Sequence, residues 1–234
     1  MQRTMRIFLA AALSALLLAG LTACGNSVPG ADKIKRPTVE SSELQFAAPK
    51  AGDTVAEIQT TAGAIQVVLY PSKAPQAVEN FVGLAQQGFY NDMTFSRMEH
   101  GFVVQGGINA EGFTTTIWDG NGYAPEVTDR LHHYSGALSA AVDENGLCSG
   151  VFYFTQTLPD SVDEAMAAQM AEAGYRQPVI DAYTAGGGAP YLDYTDTVFG
   201  QVYGGMDVVD AIAQSGELEE PVRITGVTIS TYNN

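Results

Sequence analysis

The run Thr94-Phe-Ser-Arg-Met-Glu-His-Gly-Phe-Val-Val-Gln-Gly-Gly107 constrains the fold more than any other stretch of the chain. It reads as two short apolar strands around a turn at His100-Gly101, each carrying one polar side chain, Arg97 in the first and Gln105 in the second. Gly106 and Gly107 permit a bulge or a close approach of two backbones, which is how a strand re-aims a side chain at a ligand. Taken alone, an Arg in a half-buried strand also fits a solvated outer face, and a Gln before two glycines also fits a turn.

The same run resembles the active-site signature of the cyclophilin-type peptidyl-prolyl isomerases, roughly F-H-R-x-x-x-G-F-x-x-Q-G-G. Phe95, Arg97, Gly101, Phe102, Gln105, Gly106 and Gly107 match it, and Ser96 stands where the signature has His. Two further stretches are similar to the family. Ala74-Pro-Gln-Ala-Val-Glu-Asn-Phe-Val-Gly-Leu84 resembles its first helix, and Tyr191 to Ile212 resembles a later strand, glycine turn and helix. The resemblance implies a mainly β fold over residues 53–232: a closed antiparallel cyclophilin-like barrel flanked by two helices, interrupted by an inserted helical segment at about 159–190.

The residues read independently agree with that architecture. Val55 to Thr60 and Ile65 to Leu69 alternate in polarity around Ala62-Gly63 and predict a hairpin. Pro75 suits a first helical residue, and Val78, Phe81, Val82 and Ala85 share a face before Gly88 stops the helix, leaving Glu79 and Asn80 on the polar side. Strands are predicted at Gly136 to Val142 and Val151 to Gln156, with a closing strand at Val222 to Ser230. In the insertion, Ser161 and Glu164 have capping-box spacing, a helix runs to Ala173, and Gly186 to Gly188 predict a mobile return. Val162, Ala165, Met166 and Met170 form an apolar stripe that would pack on the barrel or, alternatively, meet a protein partner.

The start of the chain bears on location. Arg3 and Arg6 precede an apolar segment from Ile7 to about Leu21, shaped like a secretory leader and too short for a membrane span. Leu21-Thr-Ala-Cys24 resembles a bacterial lipobox, which implies cleavage after residue 23 and lipidation of Cys24; a leader cut elsewhere is the alternative. Residues 24–52 are polar and punctuated by Pro29, Pro37 and Pro49, so they are expected to be a flexible tether reaching roughly 30 Å. The expected place is the outer side of a bacterial cell membrane, with the lipid anchor as the only membrane contact.

Composition excludes other classes. The formal charge of -15 falls to about -17 without the leader, because Arg3 and Arg6 leave and no acid does, so nucleic-acid binding is not expected. Cys148 remains as the only mature thiol besides Cys24 and reads as a buried inert side chain or a redox sensor. Asp143-Glu-Asn-Gly146 lacks the later Glu of a calcium loop and reads as a plain turn. His132-His133 would point to opposite faces of a strand, so no metal site is expected, and no cofactor either. The chain is expected to act as a monomer.

Rotation about an X-Pro bond faces a barrier of about 18–20 kcal/mol from amide resonance. Lowering it requires an apolar slot for the ring and a donor that favours the twisted, pyramidal nitrogen, with no nucleophile. By resemblance the donor is Arg97, with Gln105 holding the peptide backbone and Phe102, Val103, Tyr153 and Leu192 lining the slot. The family's Ala-Asn pair is Ala141-Val142 here, its second pocket Phe is Tyr153, its frequent Trp is Tyr191, and its pocket His is Asp196. Asp196 could pair with Arg97 and neutralise it, or face solvent. These departures imply altered or reduced turnover; a proline-peptide binding module or chaperone with weak catalysis is the alternative.

Overall fold

Strict alternation makes the first hairpin. Strand β1 (Thr54–Thr60) and strand β2 (Gly63–Leu69) pair antiparallel with Ala56 opposite Val67 and Ile58 opposite Ile65, all four buried. The computed structural model describes residues 28–216 and 219–233. In chain order there follow helix α1 (Pro75–Gln86), β3 (Arg97–Glu99), β4 (Val103–Gly106), β5 (Ala137–Val142), β6 (Cys148–Thr155), α2 (Glu164–Glu172), α3 (Gln177–Gly186), β7 (Thr197–Gly204), α4 (Met206–Ala213) and β8 (Ile224–Thr231).

The eight strands form one antiparallel sheet in the order β3-β4-β6-β5-β7-β2-β1-β8. It curls as the expected barrel does. Its end strands do not form a ladder with each other: the seam is held by a bridge between Thr94 and Arg223 and by two backbone bonds of 2.8 Å, Asp92 N–H to the Ile224 carbonyl and Ile224 N–H to the Met93 carbonyl. Val104, Phe152, Phe154, Leu138, Phe199, Val67 and Ile58 fill the inside of the curl. Helix α1 packs across β6, β7 and β8, and its Phe81 ring lies 5.3 to 5.6 Å from Tyr90, Phe199 and Phe152. Removing a ring so placed costs about 3–5 kcal/mol. Asn80, expected on the polar face of α1, is buried: its side chain donates to the Ser149 carbonyl and accepts from Ile117 N–H, tying the helix to β6 and to the loop at Ile117.

The glycine pair after Gln105 serves close approach. A Cβ at Gly107, whose φ is +92°, would fall on the Gly150 carbonyl, and one at Gly106 would meet the Phe152 ring at 3.0 Å. Asp143 to Gly146 is a turn whose Asp143 carboxylate accepts from Asn145 and Leu147 N–H.

The insertion differs from its expected form. It holds two helices, α2 and α3, and Asp163, not Ser161, caps α2 by accepting from Met166 N–H at 2.8 Å. Ser161 Oγ instead binds both the N–H and the carbonyl of Gly188, so the glycine return is held. The stripe does not lie on the barrel: Val162 and Met170 are buried against α3 and Tyr134 in a cluster of their own, while Ala165 is exposed.

The largest departure concerns the expected tether. Its residues 28–50 wrap the domain, because polar side chains that looked solvated find buried partners. Arg36 grips the Asp210 carboxylate with two bonds of 2.9 and 2.5 Å and donates to Ser135 Oγ and the Thr157 carbonyl. Gln45 exchanges bonds with the His132 backbone and donates to Gln201, Glu43 receives both Arg176 Nη atoms at 2.7 Å, and Val28 joins the core. The leader, Cys24 and residues 25–27 of the tether lie outside the described residues.

Candidate active site

Strand register builds the site. Arg97 of β3 stands opposite Gln105 of β4, Gln105 opposite Tyr153 of β6, Tyr153 opposite Ser139 of β5, and Ser139 opposite Val198 of β7. Directly opposed residues point to one face of a sheet, so these five side chains form a row on the outer face, away from the core. Val103, two residues before Gln105, lies on that same face and is buried.

Arg97 is half exposed. Its guanidinium carbon sits 5.1 Å from the Phe102 ring centroid, and its Nε donates to Glu99 Oε1 at 2.8 Å. Both members of that ion pair are about half in solvent, with side-chain exposures of 47% and 50%, so the pair orients the guanidinium without locking it. Gln105 Nε2 reaches Ser96 Oγ at 3.4 Å, which gives the departing signature position a place in the site. The Tyr191 ring, 61% exposed, lies over Phe102 with centroids 6.2 Å apart. Leu192 follows it in the 3-10 turn Pro190–Leu192 and is half-buried.

Asp196 takes neither of its expected places. Its Oδ2 accepts from the Tyr153 hydroxyl at 2.7 Å and its Oδ1 from Val142 N–H at 3.4 Å, so the Arg97 charge is left to Glu99. Burial first, then the Asp196 charge and hydrogen bond, push the Tyr153 hydroxyl well above its usual range and keep it a donor. Ala141 is the residue at which β5 slips register against β6, and Val142 follows at the rim. The structure thus joins Arg97, Phe102, Gln105, Tyr153, Tyr191, Asp196 and Val142 by direct contact or register. Val103, Ala141 and Leu192 border the row through their neighbours.

Several residues behind the site escaped sequence reasoning. Asp193 is buried with four donors on one carboxylate: His132 Nδ1 at 2.9 Å, His133 Nδ1 at 2.8 Å, His133 N–H at 2.9 Å and the Tyr183 hydroxyl at 2.9 Å. Burial would raise this carboxyl, but the bonds from His132 and His133 outweigh it and hold the group at about 2. The His133 ring stacks on Tyr153, centroids 6.1 Å apart and planes 13° apart, so Asp193 supports Tyr153 from behind through His133. The histidines converge because they lie in a loop, where the alternation of a strand does not apply. On the other side, Gln156 binds Gly101 N–H through Oε1 and Asp210 through Nε2, linking the turn before Phe102 to Arg36.

The family model for Cyclophilin type peptidyl-prolyl cis-trans isomerase/CLD matches residues 55–233. The chain belongs to the cyclophilin-type peptidyl-prolyl cis-trans isomerases. Its relatives include a Staphylococcus saprophyticus protein provisionally named a peptidyl-prolyl cis-trans isomerase, 35% identical over 168 residues that cover 70% of this cyclophilin and 84% of the relative. A Staphylococcus aureus protein of the same name is 33% identical over 174 residues, covering 73% and 87%. Crystal structures of a Cryptosporidium parvum cyclophilin type peptidyl-prolyl cis-trans isomerase share the fold. One has a TM-score of 0.58 at 19% identity and covers 77% of this chain and 99% of that one; the other, determined in the presence of the dipeptide Ala-Pro, has the same TM-score and identity over 76% and 99%.

Proposed function

We propose that this cyclophilin isomerises X-Pro bonds of exported or surface proteins on the outer side of the membrane, held there through lipid on Cys24, and so assists their folding. The observation that carries the catalytic part is the placement of Arg97 beside Phe102 and opposite Gln105, with its charge unpaired by Asp196. A proline ring seated on Phe102 and Val103 brings its nitrogen toward the guanidinium. As the amide twists, that nitrogen loses resonance and gains a lone pair, which the cation stabilises more than it stabilises the planar ground state. Gln105 and the Val142 edge hold the peptide backbone on either side.

The location is supported by the basic residues and apolar run before Leu21-Thr-Ala-Cys24. Metabolic labelling with palmitate tests it: label on the wild-type chain and none on Cys24→Ser is expected, and equal label on both overturns the anchor. Exchange spectroscopy on Ala-Pro peptides tests the reaction independently. Cis–trans cross-peaks within a second of mixing are expected where the free peptide takes tens of seconds; their absence overturns it.

A further inference from the structure

The insertion is built against the substrate site. Tyr175, just after α2, donates its hydroxyl to the Pro190 carbonyl at 3.0 Å, one residue before Tyr191. Between α2 and that turn runs a groove of about 240 Å³, lined by Met166, Gln169, Met170, Ala173 and Tyr175 from the insertion and by the Pro190-Tyr191 pair opposite. A closed apolar cavity of roughly 150 Å³ holds benzene, so this groove has room for an aromatic side chain. The methionines and the proline make the lining largely apolar and adaptable, Gln169 adds one neutral amide, and no lining residue carries a charge.

Tyr191 belongs to both sites. Its ring borders the groove and also lies over Phe102, centroids 6.2 Å apart. An extended peptide advances about 3.3 Å per residue, so a chain with its proline at Phe102 passes Tyr191 within about two residues. We propose that the groove receives a large apolar side chain, aromatic by preference, from a substrate residue within two positions of the proline, so that the insertion sets substrate specificity. This rests on the reading of Phe102 and Arg97 as the proline site.

The test uses the mature chain carrying Cys24→Ser and all-Ala peptides around one proline in which Phe replaces Ala at each of the two positions before and the two positions after that proline. Exchange spectroscopy gives kcat/KM, and fluorescence anisotropy gives Kd for the same peptides. One position is expected to gain about tenfold, the size of discrimination an apolar pocket provides. Ala173→Lys puts a charged chain into the groove from an exposed helix end, and Gln169→Lys does so one turn earlier. Both are expected to abolish the gain while turning over the all-Ala peptide as the wild type does. A series flat within twofold, or a gain that survives both variants, overturns the proposal. If no peptide is isomerised the proposed reaction fails, and the anisotropy series alone decides the groove by the same two criteria.

Discussion

The Tyr153 hydroxyl donates a 2.7 Å hydrogen bond to Asp196, and this bond engages the carboxylate that the sequence left open to pair with Arg97. The candidate site therefore retains its cation although Asp196 stands at the position where the resembled family pattern has a histidine. Tyr153→Phe removes the donor and leaves a half-buried carboxylate with one long bond, which costs about 1–3 kcal/mol. A lowered urea midpoint is expected, with a fall in kcat/KM smaller than that of Arg97→Ala. A variant as stable as wild type would contradict the role given to this bond.

The wrapping segment is expected to be part of the folded unit. Arg36 reaches Asp210, and Asp210 reaches Gln156 and through it Gly101 in the turn before Phe102. Arg36→Ala strands an almost fully buried carboxylate, a loss of about 3 kcal/mol. Denaturant unfolding of the mature Cys24→Ser chain checks this, and a change under 1 kcal/mol would show that the segment is loosely held. A chain cut at Lys50 is expected to be less stable still, since Val28, Arg36, Gln45 and Phe46 go with it.

Acid sensitivity follows from Asp193. Its carboxyl titrates at about 2 in the folded protein against a usual 3.8, so the bonds it accepts stabilise fully above pH 4 and are lost as pH falls through about 2. The contribution is roughly 2 kcal/mol. The stability difference between wild type and Asp193→Asn is expected to be constant from pH 6 to pH 4.5 and to shrink below pH 3. A difference independent of pH would remove Asp193 from this role.

The Cys148 thiol is fully buried, and burial foremost raises it to about 11. Of the two readings open in the sequence, the inert one is expected to hold. Native Cys24→Ser protein should not react with a disulfide reagent at pH 8 and should react with one equivalent in denaturant. Rapid reaction of the native protein would restore the redox reading.

How much was legible depended on whether a residue's partner was near in sequence. The hairpin, α1 and the β3 to β4 turn follow from alternation, Pro75 and the spacing of Gly101, Gly106 and Gly107, which are local. Arg97 and Gln105 could be singled out because polar side chains interrupt an apolar run. The fate of Asp196, the convergence of His132 and His133 on Asp193, and the clasp of Arg36 on Asp210 involve partners 43 to 174 residues apart. Composition made the segment before Lys50 look like a tether, since polar residues with distant buried partners are indistinguishable from solvated ones. The second insertion helix went unread because Gly186 to Gly188 signalled a mobile return, although Pro178 suits the first turn of α3.

The central claim is that Arg97 catalyses X-Pro isomerisation, and a protease-coupled cis-to-trans assay tests it most directly. The mature Cys24→Ser chain is compared with the same chain carrying Arg97→Ala, both shown folded by their unfolding midpoints. Loss of at least a hundredfold in kcat/KM with an unchanged midpoint is predicted, about 2.7 kcal/mol of transition-state stabilisation. Equal turnover by the two folded chains, or none above the uncatalysed rate by either, would contradict it, and the second result would leave a module that binds proline peptides without turning them over.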